Sequence, residues 1–503
     1  MPATSDGAAP SPVGPPRPER PEPRRLTALL PRLPALTADR PVEGIVATGM
    51  THDSRAVRPG DVYAALPGSH AHGAEFAAAA VSAGAVAVLT DPAGARLAAG
   101  VGVPLLVAPD PRAALGAAAA AVHGHPGDAL TVLGVTGTNG KTTTAFLLDA
   151  GLRAAGHTTG LLGTVQTRIG DEVVTSVRTT PEATDLQALL AVMVERGVTA
   201  VSLEVSSHAL VLGRVDGLLL DVAAFTNLSQ DHLDFHRDMA DYEAAKARLF
   251  TPALAERAVV NADDAAGRRL AAAALVPTAT YGVAGDWRAE ELELRPDGSS
   301  FRLTGPGVDL PASVRLPGAF NVANALAALA TLIGAGTDAE AAVDGVADLA
   351  GVPGRMERVE AGQPFLALVD YAHTPDAVRT LLAAVRSVTA GRVLVVLGCG
   401  GDRDRAKRPL MGRAAAAGAD VAVLTSDNPR SEDPAAILRE MAAGAPAAVV
   451  EVDRRAAIAH AVSLAGPGDA VVVAGKGHES GQEVDGVVTP FDDRLVLAEL
   501  LGC

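Results

Sequence analysis

Cysteine and aromatic residues are nearly missing from this 503-residue chain, which has two cysteines, one tryptophan and 3% Phe, Trp and Tyr together. Cys399, in a glycine loop, and Cys503, at the terminus, are too few for a disulfide framework, so a reducing compartment and a cytoplasmic location are expected. With 48% apolar residues and so few rings, the core must be assembled from Ala, Val and Leu on helices and strands. Positive charge is in deficit too. A formal net charge of −16 argues against nucleic acid or an anionic membrane surface as the main partner, so an anionic substrate must meet local basic groups. No apolar run of about 18 residues occurs, and no basic stretch leads into an apolar segment at the N-terminus; neither membrane insertion nor secretion is expected.

What is present is an α/β pattern long enough for about three domains. Residues 1–40, crowded with Pro and Arg, read as a disordered extension that turns helical from Leu26 onward. Residues 41–127 alternate turns with short apolar runs such as Gly60-Asp-Val-Tyr-Ala-Ala-Leu66 and read as a small N-terminal α/β domain. Residues 128–350 alternate strands and helices, as in a mainly parallel sheet covered on both faces, with antiparallel decoration over 280–316. Residues 351–503 repeat the alternation as a doubly wound, Rossmann-like sheet. Ligands there lie beyond the carboxyl ends of strands, so Asp370, Gly398, Asp427 and Gly475 are expected to face one cleft.

The most informative segment is Leu130-Thr-Val-Leu-Gly-Val-Thr-Gly-Thr-Asn-Gly-Lys-Thr-Thr-Thr144. A β-branched apolar run opens into Gly137, Thr138, Asn139, Gly140, Lys141, Thr142 and Thr143 and then a helical pattern. Glycines let backbone N–H groups turn toward phosphate oxygens, the helix adds its positive end, Lys141 reaches the β/γ-phosphates, and Thr142 offers a hydroxyl to Mg²⁺. Val135 stands where a strict P-loop has its first glycine. Glu204 ends a later strand pattern and His232 follows the next, groups suited to a hard cation bridging phosphates. Lys246, in Tyr242-Glu-Ala-Ala-Lys246, reads from spacing alone as a solvated lysine pairing with Glu243 at i, i+3.

Taken in order, Gly137-Thr-Asn-Gly-Lys-Thr-Thr143, Glu204-Val-Ser-Ser-His208, Thr226-Asn-Leu-Ser-Gln-Asp-His232-Leu-Asp-Phe-His236, Tyr242-Glu-Ala-Ala-Lys246, Gly318-Ala-Phe-Asn-Val-Ala-Asn324 and Asp370-Tyr-Ala-His-Thr-Pro375 resemble the Mur ligase family. Gly398-Cys-Gly-Gly-Asp-Arg-Asp404, Ser426-Asp-Asn-Pro-Arg430 and Gly475-Lys-Gly-His-Glu479 narrow the likeness to members that add 2,6-diaminopimelate, and the match runs from about residue 45 to the end. The resemblance implies ATP as co-substrate, Mg²⁺ held by Thr142, Glu204, His232 and a CO₂-derived carbamate on Lys246, and Asn321 against adenine. It brings Arg355 and Asp370 to the nucleotide from a third domain that closes. It also implies Lys141, Lys246 and Asp370 as catalytic residues. For a UDP-sugar peptide it implies Ser54 and His70 near the UDP group and Thr179, Thr180, Ser206 and Arg214 on the peptide.

An incoming amino acid needs a carboxylate fork and an ammonium acceptor. Arg430 in Asp427-Asn428-Pro429-Arg430 and Arg403 supply the first, Glu479 and the Gly475 carbonyl the second. Diaminopimelate carries one carboxylate more than lysine, the physical reason to prefer it where an arginine waits. The implied reaction activates the D-Glu side-chain carboxylate of UDP-N-acetylmuramoyl-L-Ala-D-Glu as an acyl phosphate, which the amine attacks, a step of cell-wall peptidoglycan synthesis. Partners would be small molecules only, acting on a monomer. The competing readings are a lysine-adding ligase, a folylpolyglutamate-type ligase, a metal-dependent NTPase and a catalytically silent nucleotide-binding scaffold. LL- and meso-diaminopimelate stay undistinguished.

Overall fold

The computed structural model describes residues 15–174 and 178–502; Cys503 and the first fourteen residues of the expected extension lie outside them. The chain divides into two compact units, Met1–Val132 with Thr158–Asp221, and Leu133–His157 with Val222–Cys503.

In the first unit a five-stranded sheet runs in the order Thr37–Ala38, Leu105–Val107, Ala87–Thr90, Asp61–Ala64, Gly49–Thr51, parallel except for its first strand. Its core is aliphatic, with Leu26, Leu29, Leu33, Met50, Val62, Leu89 and Leu115 buried together. Between Pro15 and Arg25 the extension is ordered where disorder was expected, and the helix expected from Leu26 is present. Leu26–Leu29 is a short helix with two buried leucines, Arg17 pairs with the buried Asp61, and the Glu19 and Arg20 amides bond the Glu195 carboxylate. Apolar side chains at 26, 29 and 33 and a bidentate ion pair overcome the chain entropy that Pro/Arg composition alone suggested would win. Pro111–His123 is an Ala-rich helix, capped by Asp110 and ended by Gly124 in the left-handed region. Thr159–Leu162 pairs in parallel with Ala200–Glu204 and antiparallel with Thr167–Ile169.

In the second unit Thr131–Thr136, Leu220–Phe225, Ala255–Asn261 and Thr278–Tyr281 follow one another across a sheet, with Phe225 opposite Thr136. Both strands thus end at the same edge, where the glycine loop begins. Helix Lys141–Ala154 follows that loop and packs on Ala319–Gly334 and Ala339–Asp348. The decoration expected over 280–316 is a three-stranded antiparallel sheet, Arg288–Arg295, Gly298–Gly305 and Val308–Val314. The last third forms a six-stranded sheet whose centre is Leu366–Asp370, Ala470–Ala474, Val393–Leu397 and Val421–Leu424, all parallel. Asp370 and Leu397 both lie opposite Ala474, so Asp370, Gly398, Asp427 and Gly475 share one sheet edge as expected. Among the described residues no helix is long and apolar enough to cross a membrane.

Candidate functional site

The glycine loop is shaped by two close approaches. Gly137 (φ +149°) has Thr226 Oγ1 1.9 Å from where a Cβ would sit, and Gly140 (φ +86°) has Asn324 Oδ1 at 2.4 Å. Any side chain at either point would push the loop off its neighbours. Thr226 Oγ1 donates to the Asn139 carbonyl at 2.6 Å, the Asn139 amide donates to Asn227 Oδ1 at 3.0 Å, and Thr138 Oγ1 meets Tyr242 Oη at 3.1 Å. Lys141 folds back, donating to the Gly137 and Thr138 carbonyls at 2.9 and 2.7 Å. Thr142 and Thr143 open the helix, both buried.

Lys246 overturns the solvated-lysine reading. Glu243 pairs instead with Arg269, while Lys246 is 1% exposed, donates to the Gly137 carbonyl at 2.7 Å and lies 4.5 Å from the Tyr242 ring centroid. Burial, then the charge of Lys141, push its amine well below the lysine range against the attraction of Asp231. The helix start, capped by Asp238, turns position 246 inward. Spacing alone could not show that the partner face is the underside of the phosphate loop. Near it, His232 sits at φ +55°, its ring edge-on to Tyr242, with Nε2 3.4 Å from Asp231. Burial opposes the charge of Asp231, but His373, His232 and Lys407 outweigh it and hold the carboxyl far below its usual range.

Arg355 donates to Thr142 Oγ1 at 3.0 Å and stacks on the Tyr371 ring, 4.4 Å from its centroid, so the last third of the chain does reach the nucleotide loop. Asp370 serves the backbone first: its oxygens accept the Met356 and Ala372 amides, both at 2.8 Å, while burial raises its carboxyl pKa. Asn321 is held by the Pro317 carbonyl and in turn accepts from Asn324, so Asn324 is the residue against the loop. The spacing of the two asparagines, one helical turn apart, carried that signal.

Within the first unit, Glu204 is fully buried and accepts from the Thr164 amide at 2.8 Å and Thr164 Oγ1 at 3.0 Å. Thr164 was not singled out from sequence, though Gly163-Thr164 follows a strand and a Cβ at Gly163 would lie 2.4 Å from the Glu204 carboxylate. Thr179 meets Thr164 at 3.0 Å, Thr180 Oγ1 donates to the Glu204 carbonyl at 2.8 Å and receives the Ser206 amide at 3.1 Å, and Arg214 Nη1 donates to the Thr180 carbonyl at 3.3 Å. The four residues expected on a peptide are thus brought together. Arg214 is oriented by Glu182 at 2.9 Å, around which Arg112 and Arg178 also gather, a cluster that sequence spacing missed. Ser54 opens a turn capped by Asp53, and His70 lies on an exposed loop whose other histidine, His72, is tied to Asp91 and the Ala74 amide.

The second cleft lies at the other sheet's edge. Arg454 and Asp493, both without exposed side-chain surface, form a bidentate pair; Arg454 also donates to the Ser426 and Ala474 carbonyls, the last before Asp427 and Gly475. Gly475 (φ +113°) would place a Cβ 2.7 Å from Asp427 Oδ2. Asn428 Nδ2 donates to Glu479 Oε2 at 2.8 Å, and Pro429 precedes Arg430 in the left-handed region (φ +52°). Arg430 Nη1 donates to the Gly401 carbonyl at 2.7 Å, and the Arg430 backbone is stitched to Glu483 and Asp485. Arg403 is exposed, donating to the Asp402 carbonyl at 3.0 Å. Cys399 lies behind this edge, its thiol pushed up to about 12 by burial.

A strand–glycine loop–helix phosphate site with two lysines converging on one loop carbonyl, beside a separate acid–base cleft, defines an enzyme that uses a nucleoside triphosphate. Three family models tile the chain: the Mur ligase family catalytic domain over residues 46–123, the Mur ligase middle domain over 135–332 and the Mur ligase glutamate ligase domain over 354–477. The chain is 58% identical to UDP-N-acetylmuramoyl-L-alanyl-D-glutamate–2,6-diaminopimelate ligase of Streptomyces avermitilis, covering 97% of this chain and 98% of that one. It is 49% identical to the enzyme of the same name from Corynebacterium glutamicum over 90% and 91% of the two. A solved structure of such a ligase superposes with a TM-score of 0.65 at 35% identity, covering 92% and 96%. The chain belongs to the Mur ligase family, has its three-domain α/β fold and is an ATP-dependent ligase.

Proposed function

We propose that this enzyme joins 2,6-diaminopimelate to the D-Glu side-chain carboxylate of UDP-N-acetylmuramoyl-L-Ala-D-Glu, with ATP cleaved to ADP and phosphate, in peptidoglycan synthesis. The observation that carries the amine assignment is the pairing on one sheet edge of Arg430, a carboxylate fork, with Glu479, an ammonium acceptor, linked through Asn428. An amino acid with a second carboxylate gives Arg430, which among the described residues has only Glu483 at 3.6 Å as a carboxylate neighbour, a bidentate partner that lysine cannot supply.

In the first step the substrate carboxylate attacks the γ-phosphorus of ATP, and ADP leaves. Lys141, released from the Gly137 and Thr138 carbonyls, turns to the phosphates, while the loop amides and the start of the 141–154 helix offset developing charge. Arg355, at Thr142, adds a cation at the same point. With one ammonium of diaminopimelate held by Glu479, its other amino group, as the free base after loss of a proton to solvent, attacks the acyl carbon and gives up a second proton as phosphate departs; no protein nucleophile is required. Thr179, Thr180, Ser206 and Arg214 would hold the peptide and Ser54 and His70 the UDP end.

No three His, Cys, Asp or Glu side chains among the described residues form a ready cation site. That fits Mg²⁺, which takes few protein ligands and prefers phosphate and hard oxygen donors. Lys246 suits carbamylation because its amine is held neutral, the form that adds CO₂. Thr142, Glu204, His232 and a Lys246 carbamate would hold the ion, which would neutralise charge on the phosphates. The test is phosphate release with ATP, Mg²⁺ and UDP-N-acetylmuramoyl-L-Ala-D-Glu, comparing meso-diaminopimelate, LL-diaminopimelate and L-lysine. Turnover with a diaminopimelate isomer that collapses in Arg430→Ala is expected; equal use of lysine refutes the carboxylate-fork argument, and no turnover with any amine refutes the ligase assignment.

A further inference from the structure

This chain has only four lysines, Lys141, Lys246, Lys407 and Lys476, against 38 arginines. Where it needs a surface cation it uses arginine. Lysine is kept at points where a compact ammonium with three donors fits and a planar guanidinium does not. Two of the four serve the nucleotide loop. Lys476, in Gly475-Lys-Gly-His-Glu479, has a side chain with no exposed surface and no part in the chemistry derived above.

Its three donors are all used: Nζ reaches the Gly481 carbonyl at 2.6 Å, Asn428 Oδ1 at 3.1 Å and Glu479 Oε2 at 3.3 Å. Asn428 Oδ1 also accepts the Glu483 amide at 3.0 Å, so the amide oxygen faces two donors and Nδ2 must point the other way, to Glu479 Oε2. Half a turn of that amide would set NH₂ against an ammonium and an N–H, and its oxygen against a carboxylate. Both bonds to Glu479 converge on Oε2, which leaves Oε1 for an incoming ammonium.

We propose that Lys476 is the positioning residue of the amine-capture cleft: its buried ammonium fixes the amide orientation of Asn428 and anchors Glu479 by one oxygen, so that the other meets the substrate amine. Lys476 itself touches no substrate. The inference rests on the ligase reading of Asn428 and Glu479.

The test is steady-state kinetics on the full-length enzyme, with the preferred diaminopimelate isomer as the varied amine. Lys476→Met is expected to raise KM for the amine about tenfold or more, the scale of a lost charge-assisted hydrogen bond, with KM for ATP and for the UDP-dipeptide unchanged within about twofold. In a Glu479→Ala background the same replacement should add less than about twofold, because the carboxylate that Lys476 positions, directly and through Asn428, is gone. Full additivity, an unchanged amine KM, or an equal rise in all three KM values would overturn the proposal. Asn428→Asp keeps both donors to Oδ1 but turns an oxygen toward Glu479, and should itself raise amine KM about tenfold. An Asn428→Asp enzyme with wild-type amine KM overturns the proposal even if Lys476→Met does not fold. Parent enzyme inactive with every amine would instead remove the ligase reading, and this inference with it.

Discussion

Replacing Lys246 by methionine should abolish turnover yet stabilise the protein at neutral pH. Burial and the charge of Lys141 hold the amine neutral in the folded chain, whereas in the unfolded chain it keeps its proton until near 10.5. Each pH unit by which the folded-state value lies below that of the unfolded chain costs about 1.36 kcal/mol of stability at neutral pH. Up to 10.5 the unfolded state binds more protons than the folded state, so this group's contribution to stability rises with pH. Methionine has nearly the same length and no proton to lose. The one acceptor deserted, the Gly137 carbonyl, is still served by Lys141 at 2.9 Å. Lys246→Met should therefore be more stable than the parent at pH 7.5, with an advantage that shrinks toward pH 9.0 by at most about 1.36 kcal/mol per pH unit. Urea unfolding in CO₂-free buffer at the two pH values, following the transition that reports the nucleotide-loop unit, measures this. A variant less stable at both pH values, or a difference that does not change with pH, would refute the neutral-amine argument and remove the basis for carbamylation.

Three further outcomes follow from the geometry. Gly140→Ala forces a Cβ to within 2.4 Å of Asn324 Oδ1 at φ +86°, and should raise KM for ATP about tenfold or more with little change for the amine, measured by initial rates. Arg454→Met leaves Asp493 buried and unpaired and should destabilise the C-terminal sheet domain by about 3–5 kcal/mol in urea unfolding, while a second change, Asp493→Leu, should recover most of that loss. Thr164→Val removes a hydrogen bond to the Glu204 carboxylate and, on the proposal that Glu204 is a metal ligand, should lower kcat about tenfold while raising the Mg²⁺ concentration for half-maximal rate; a kcat within about twofold of the parent would refute that proposal.

Much of the fold was legible because its signals are local. β-branched runs ending in glycine, alternating with Ala-rich helical stretches, specify parallel α/β sheets, and the residues just past each strand end, Gly137, Asp370, Gly398, Asp427 and Gly475, were placed by topology before any contact was known. The helix from Leu26 was legible where leucines return, but the order of residues 15–25 was not, because it rests on Arg17 pairing with Asp61 and on the Glu19 and Arg20 amides bonding Glu195, far along the chain. Lys246 was misjudged by its own helix for the same reason: i, i+3 spacing sees Glu243 but not the Gly137 carbonyl 109 positions away.

The sequence by itself determined the class of chemistry, since glycines, a lysine and a threonine between a strand and a helix turn backbone N–H groups and a cation toward a phosphate. Only the tertiary structure decided which groups are charged and which way they point. Burial beside Lys141 weakens the hold of Lys246 on its proton, Met356 and Ala372 claim the oxygens of Asp370, and a sealed Lys476 sets the amide of Asn428. Protonation and orientation depend on desolvation and on partners remote in the chain, and neither is written in local spacing.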